Sequence, residues 1–378
     1  MIEIFISSDN IVSPIGLTTA ENFEQLKKNV SGIKLHDDKS MSEQPFQAAL
    51  FDDANSFNNN QSQKEYSKFE KLLIASISDA LANSSISATD KKTVLIISST
   101  KGNISLLETE QASPSLNKRI SLNTSAQLVA DHFQFFNKPV IVSNACISGM
   151  LAILTGMRLI QSGQFENAVV AGADVISKFV LSGFQSFQAI SSLPCKPFDA
   201  ARDGINLGEG AGTVILTGNR EHSSGIKVMG GSVSNDANHI SGPSRTGEEL
   251  NLAITKAMAA AGLAASDIDF ISAHGTATVY NDEMEAKAIG LAGLQASPVN
   301  SLKGYYGHTL GAAGLIESII CFQSLKENLV IPTRGFENTG VTQPVNICST
   351  LYSASLQNCL KTASGFGGCN AAMVFSKQ

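Results

Sequence analysis

Strand-like and helix-like segments follow one another in the same order twice along this chain, which leaves few topologies open to it. The strand and turn TVLIISSTKGN, from Thr93, are echoed by DFISAHGTATV, from Asp269. An apolar strand, a turn of small residues and a helix run from Val140 to Gly163 and again from Val299 to Asn328. Two hairpin-like segments, LGEGAGTVILTG and FGGCNAAMVFSK, close the two stretches. A duplicated α/β unit produces such an order. Short likenesses also arise by chance, and the pattern alone leaves the two readings level.

Apolar residues recur at helical spacing in KFEKLLIASISDALA, SGMLAILTGMRLIQSG, GEELNLAITKAMAAAGLA and AAGLIESIICFQSLKE, which predicts helices there. TVLIIS, PVIVS, NAVVAGAD, GTVILTG, FISAH and AAMVF read as strands. Two polar, irregular stretches, residues 52–63 and 235–247, lack the composition of a linker.

The 378 residues suit either one large α/β body or two to three domains. With 43% hydrophobic and 16% charged residues, the chain can bury a sizeable core and is unlike a disordered one. A net charge of −6 argues against a general nucleic-acid binder, which needs a basic face. Glu3 stands where a secretory signal would carry basic residues, and no apolar run is long enough for a membrane span, so a cytoplasmic protein is expected. The six cysteines lack CxxC pairs, so neither a metal site nor a disulfide framework is expected.

Four segments carry chemistry. In PVIVSNACISGMLAILTGMRLIQSG, Cys146 stands where a strand turns into a helix, and a helix N-terminus favours thiolate over thiol, so a low pKa is expected. Ala145, Ser148 and Gly149 leave room for a substrate, much as a nucleophile elbow does. An ordinary buried thiol is the equal alternative. His274 ends a strand in FISAHGTATVYNDEMEAKAI, with Thr276 and Thr278 beside it, and on its own reads more readily as a structural histidine. VNSLKGYYGHTLGAAGLIESI carries Lys303, His308 and Glu317, each of which has a plain reading as a solvated or structural residue. SGFGGCNAAMVF is a glycine turn able to offer backbone N–H groups to an oxyanion; it lacks the spacing and context of a dinucleotide site.

Taken in order, NAC at 144–146, HGTAT at 274–278, KGYYGH at 303–308, GAAG at 311–314 and GFGG at 365–368 resemble the β-ketoacyl synthases, specifically their elongating Cys-His-His branch. The resemblance runs from the SPIG turn at Ser13 through FDAARDGINLGEGAG to the terminal hairpin. It implies a thiolase-like α/β fold of five layers, αβαβα, with two similar halves: residues 1–220 carrying the nucleophile and 221–378 carrying both histidines. It also implies a homodimer or a heterodimer with a related synthase subunit.

The resemblance further implies that Cys146 takes an acyl group from acyl carrier protein, and that His274 and His308 assist decarboxylation of a malonyl unit whose enolate attacks the acyl-cysteine. The N–H groups of Cys146 and Phe366 would form the oxyanion hole, with Phe366 also gating acyl entry. Lys303 would support the histidines with Glu317 as its partner, Asp282 and Glu285 would stand behind them, and Thr276 and Thr278 would bind the phosphopantetheine arm. No tightly bound cofactor and no metal are implied. The product would serve fatty-acid or specialised polyketide or polyene elongation.

Ala277, Cys369 and Ile147 depart from the usual family residues, and Gln188 replaces a frequent arginine near the carrier-docking surface. Lys64, Lys68 and Lys71, read as sharing a helix, would either replace that charge or form a solvated face. Two other readings remain: a non-catalytic chain-length partner, in which the cysteine is normally replaced, and a thiolase-type acyltransferase with a Cys-His-Asn site. Cys146 with both histidines argues against the first, and KGYYGH followed by GAAG against the second.

Overall fold

The computed structural model describes residues 2–52, 66–238 and 242–378. Lys64 and most of the polar stretch from Asp52 to Gln63 lie outside the described residues. The first half of the chain supplies β1 (Ile4–Val12), β2 (Thr93–Ser98), β3 (Val140–Val142), β4 (Asn167–Asp174) and β5 (Gly210–Thr217). The second supplies β6 (Ile226–Asn235), β7 (Phe270–Ser272), β8 (Pro298–Asn300), β9 (Asn358–Gly365) and β10 (Cys369–Lys377).

Pairing runs β3-β2-β4-β5-β1 in the first half and β8-β7-β9-β10-β6 in the second. In both halves the outer three strands are parallel and the inner pairings antiparallel. The two halves therefore repeat one topology, which accounts for the echo in the sequence. They join where Ile4–Ile6 of β1 pairs with β6, making one continuous sheet.

Helices cover this sheet in layers. The helices α1 (Lys68–Ala82) and α2 (Leu122–His132) lie on the outer face of the first half. On the outer face of the second lie α5 (Glu248–Ala261) and α6 (Val279–Leu291), while the short α4 (Lys178–Ser186) sits near the cavity described below. Between the halves lie α3 (Ser148–Gln161) and α7 (Ala313–Glu327), packed on each other and on both sets of strands. The result is the five-layer αβαβα order.

Local sequence explains the elements that matter. TVLIIS and NAVVAGAD are buried along their whole length, as parallel strands covered on both faces must be. Ser67 and Glu70 form a capping box that starts α1 at Lys68, and Lys68 pairs with the buried Glu209 at 2.6 Å. Lys68 and Lys71 thus share this helix, with Lys68 in an ion pair with Glu209, while Lys64 lies outside the described residues. α7 is buried on nearly all sides, which its run of Leu315, Ile316, Ile319, Ile320 and Phe322 permits. Among the described residues no helix is long and apolar enough to cross a membrane.

The contact between α3 and α7 is backbone-close. A Cβ on Gly149 would lie 2.7 Å from the Leu315 backbone nitrogen and 3.0 Å from the Gly311 carbonyl. Gly149→Ala should therefore lower stability by about 1–3 kcal/mol, read as a lower denaturant midpoint. An unchanged midpoint would contradict this close approach.

Candidate active site

Cys146 sits where β3 turns into α3. Ala145 takes the left-handed conformation, with φ of 43°, and the Ser148 hydroxyl secures the turn by donating to the Ala145 carbonyl at 2.7 Å and accepting from the Asn144 N–H at 2.8 Å. That bend aims the Cys146 side chain across the central layer at the turn before α7. There His308 places Nε2 3.0 Å from the Cys146 Sγ. His308 is itself anchored by its N–H to the Asn206 carbonyl at 2.7 Å and by its carbonyl to the Gly208 N–H at 3.0 Å.

His274 follows the end of β7, and its ring meets that of His308 edge to face, with centroids 5.2 Å apart. The turn after it is held by acids. Glu285 accepts from the N–H groups of His274 and Gly275 at 2.8 and 2.7 Å, and Asp282 from that of Thr276 at 2.8 Å. Lys303 Nζ donates to the His274 carbonyl at 3.0 Å and pairs with Glu317. The hydroxyls of Thr276 and Thr278 lie 2.8 Å apart on the cavity wall.

Burial governs the electrostatics. Cys146 is 8% exposed, and burial pushes its thiol up to about 12; Cys369 and Asp174 add to this, while Lys303 and the Phe366 N–H oppose it. The low thiol pKa expected from a helix N-terminus is thereby corrected. Cys146 precedes the first helical residue, Ser148, by two positions, and the second half of the chain closes over it. Both imidazoles are held well below the usual range, first by burial and then by Lys303, with Lys361 also contributing. Burial likewise raises the Asp282 carboxyl to about 6. The resting site is thus a neutral thiol facing two neutral imidazoles, and forming a thiolate requires a proton acceptor. His308 Nε2 is within reach.

These groups open into a cavity of about 350 Å³ that also takes in Phe366. The Phe366 ring stacks on Phe184 with centroids 5.6 Å apart and meets Phe187 edge to face at 5.4 Å. Gln188 lies on the same wall. The ligand atoms of Cys146, His274 and His308 all lie within 4.8 Å of one another, a donor set of the kind zinc takes. The buried ammonium groups of Lys303 and Lys361 beside them oppose a divalent cation.

Several contributors were missed in the sequence. Asp174, ending β4, accepts from Ser99 Oγ and the Gly311 N–H, both at 2.7 Å, and so ties the first half to the GAAG turn. Its signal is an acid closing an otherwise apolar run. Phe184 and Phe187 give no motif, and Lys361 is a lone lysine in an apolar strand.

The sequence matches two family models, "Beta-ketoacyl synthase, N-terminal domain" over residues 2–222 and "Beta-ketoacyl synthase, C-terminal domain" over residues 226–337. It is 34% identical to a 3-oxoacyl-[acyl-carrier-protein] synthase 2 of Rhizobium meliloti, over 62% of this chain and 60% of that one. Identity to the protein of the same name from Vibrio cholerae is 28% across 99% of both chains. The fold matches a β-ketoacyl synthase from Burkholderia phymatum with a TM-score of 0.91 at 24% identity, covering 100% of both chains. It matches the ishigamide ketosynthase/chain length factor with a TM-score of 0.89 at 23% identity, covering 100% of this chain and 99% of that one.

Because the thiol is neutral at rest, alkylation of Cys146 by iodoacetamide should climb about tenfold per pH unit from pH 7 to pH 9. A plateau below pH 8 in the rate of adduct formation, followed by mass spectrometry, would show a preformed thiolate instead.

Proposed function

This chain belongs to the β-ketoacyl synthase family, and from that premise we propose how its residues carry out the reaction. The enzyme is an acyltransferase of the 3-oxoacyl-[acyl-carrier-protein] synthase type, catalysing decarboxylative condensation. The observation that carries our assignment of roles is the 3.0 Å approach of His308 Nε2 to a buried, protonated Cys146.

In the first half-reaction His308 accepts the thiol proton as Cys146 Sγ attacks the carbonyl of an acyl thioester. The N–H groups of Cys146 and Phe366 receive the developing oxyanion, and the departing thiol takes the proton. In the second, a malonyl thioester enters, His308 passes to the tautomer with its proton on Nε2, and the neutral rings of His274 and His308 donate hydrogen bonds to the thioester carbonyl oxygen. The carboxylate leaves as carbon dioxide, the electron pair of the broken C–C bond forms the enolate, and the enolate carbon attacks the acyl-Cys146 carbonyl. The cysteine thiolate is expelled and takes up one proton from solvent, so the whole cycle consumes a proton for each carbon dioxide released. Dividing the condensation in two replaces one difficult step by two easier ones.

Lys303, Glu317, Asp282 and Glu285 position the histidines, and Phe366, packed on Phe184, gates acyl entry. Acyl carrier protein delivers both substrates, with Thr276 and Thr278 holding its phosphopantetheine arm, and no tightly bound cofactor takes part. The carrier-protein names of the relatives support this partner, and the ketosynthase/chain length factor among the structural neighbours supports pairing with a second, related subunit or copy. The division into residues 1–220 and 221–378 goes with this reading, the nucleophile coming from one half and both histidines from the other.

His274→Ala should leave acylation of Cys146 within a few-fold of wild type while slowing malonyl-carrier decarboxylation by about 10²-fold. His308→Ala should slow both steps, and Cys146→Ala should abolish condensation. Wild-type decarboxylation in His274→Ala, measured as released carbon dioxide, would refute these roles.

A further inference from the structure

Strand β9 carries a charge in its interior. Lys361 stands in NCLKTASG, is fully buried, and pairs in register with Ser272, the last residue of β7. Its Nζ donates to the carbonyls of Ser272 at 3.1 Å, Ala273 at 3.3 Å and Thr362 at 2.7 Å, and lies 2.8 Å from Glu317. Lys303 takes the next carbonyl, that of His274, and pairs with the same Glu317. Three consecutive carbonyls leading into His274 are thus held by two ammonium groups that one carboxylate bridges. The neighbouring Thr362 hydroxyl donates to Glu285 at 2.6 Å, the acid that holds the His274 N–H from the other side.

Stability gives no reason for this lysine. Burying an ammonium costs several kcal/mol before pairing, and apolar replacements of buried ion pairs are often neutral or stabilising. Two lysines against one bridging glutamate also leave positive charge beside the imidazoles.

We propose that Lys361 is a second positioning lysine of the condensation site, which fixes the strand end that aims His274 and, with Lys303, sets a positive field across both histidine rings. The proposal rests on the condensing reading above. The titratable and charged groups around it are Lys303, Glu317, Glu285, Asp282, His274, His308, Cys146, Cys321 and Cys359. Within this set Lys361 helps hold both imidazoles below their usual range, so they stay neutral as the pH falls. The same field favours the negative enolate oxygen over the neutral thioester.

The test is Lys361→Met in the full chain, with malonyl-carrier decarboxylation followed from about pH 5 to pH 9 and histidine titration followed by NMR. Loss of the clamp should lower kcat by about 10²-fold with a much smaller change in KM. Loss of the charge should raise the imidazole pKa values and move the acid limb of kcat up by about one pH unit. Lys361→Arg, which keeps the charge, should restore the limb. A Lys361→Met enzyme whose activity falls only in proportion to its alkylatable Cys146, with the limb unmoved, would overturn the proposal. Should that variant not fold, wild-type titration decides, because His274 titrating in the ordinary imidazole range with Lys361 in place also overturns it. A wild-type enzyme without decarboxylase activity would instead sink the condensing reading, and the NMR titration would still judge the clamp.

Discussion

Helices α3 and α7 touch backbone to backbone, and the site exists because they can. Each follows the third strand of its half, so they are equivalent elements of a repeated topology, and the small residues at their starts let the two turns meet. Gly149 faces the Leu315 backbone, Gly314 faces Met150, and Gly311 faces the Asp174 carboxylate and the Thr100 backbone. Larger residues at these points would push the turns apart. The 3.0 Å contact between Cys146 and His308 would be the first thing lost. Cys146 comes from the first half of the chain and His308 from the second, so only the two together bring this pair into contact.

The same close packing removes water, and this decides the protonation states. A helix N-terminus lowers a thiol pKa through partial charges worth a fraction of a unit charge, whereas full burial penalises the anion far more. At Cys146 burial prevails. Burial therefore favours the protonated thiol, with His308 Nε2 3.0 Å away. Burial and nearby lysines keep the His308 imidazole neutral, the form that the proposed mechanism requires of it.

Much of this was legible in the sequence where one local pattern dominates. Helix α1 and strands β2 and β4 begin and end where KFEKLLIASISDALA, TVLIIS and NAVVAGAD do. Strand β1 was not read, because Ser7, Ser8, Asp9 and Asn10 interrupt its apolar pattern. Their polarity is absorbed by partners distant in sequence, such as the Ser84 hydroxyl for Ser7 and the Ala80 carbonyl for Ser8. The motifs around Cys146, His274, His308 and Lys303 pointed to residues that do converge on one cluster. Lys361 and Asp174 belong to no motif, since what makes each matter is a contact to the other half of the molecule or to a neighbouring strand. The Cys146 thiol was misjudged for the same reason: its local helix is visible in the sequence and the surface that buries it is not.

The central claim is that Cys146 holds the acyl chain while the two histidines generate the attacking enolate. Intact-protein mass spectrometry tests it in two stages on one sample. Mixing the enzyme with an acyl-carrier thioester should add the mass of one acyl group, mapped to Cys146, and subsequent malonyl-carrier should remove that mass as a 3-oxoacyl-carrier two carbons longer appears. An adduct on another residue, or an acyl-Cys146 that persists while malonyl-carrier is decarboxylated, would contradict the account.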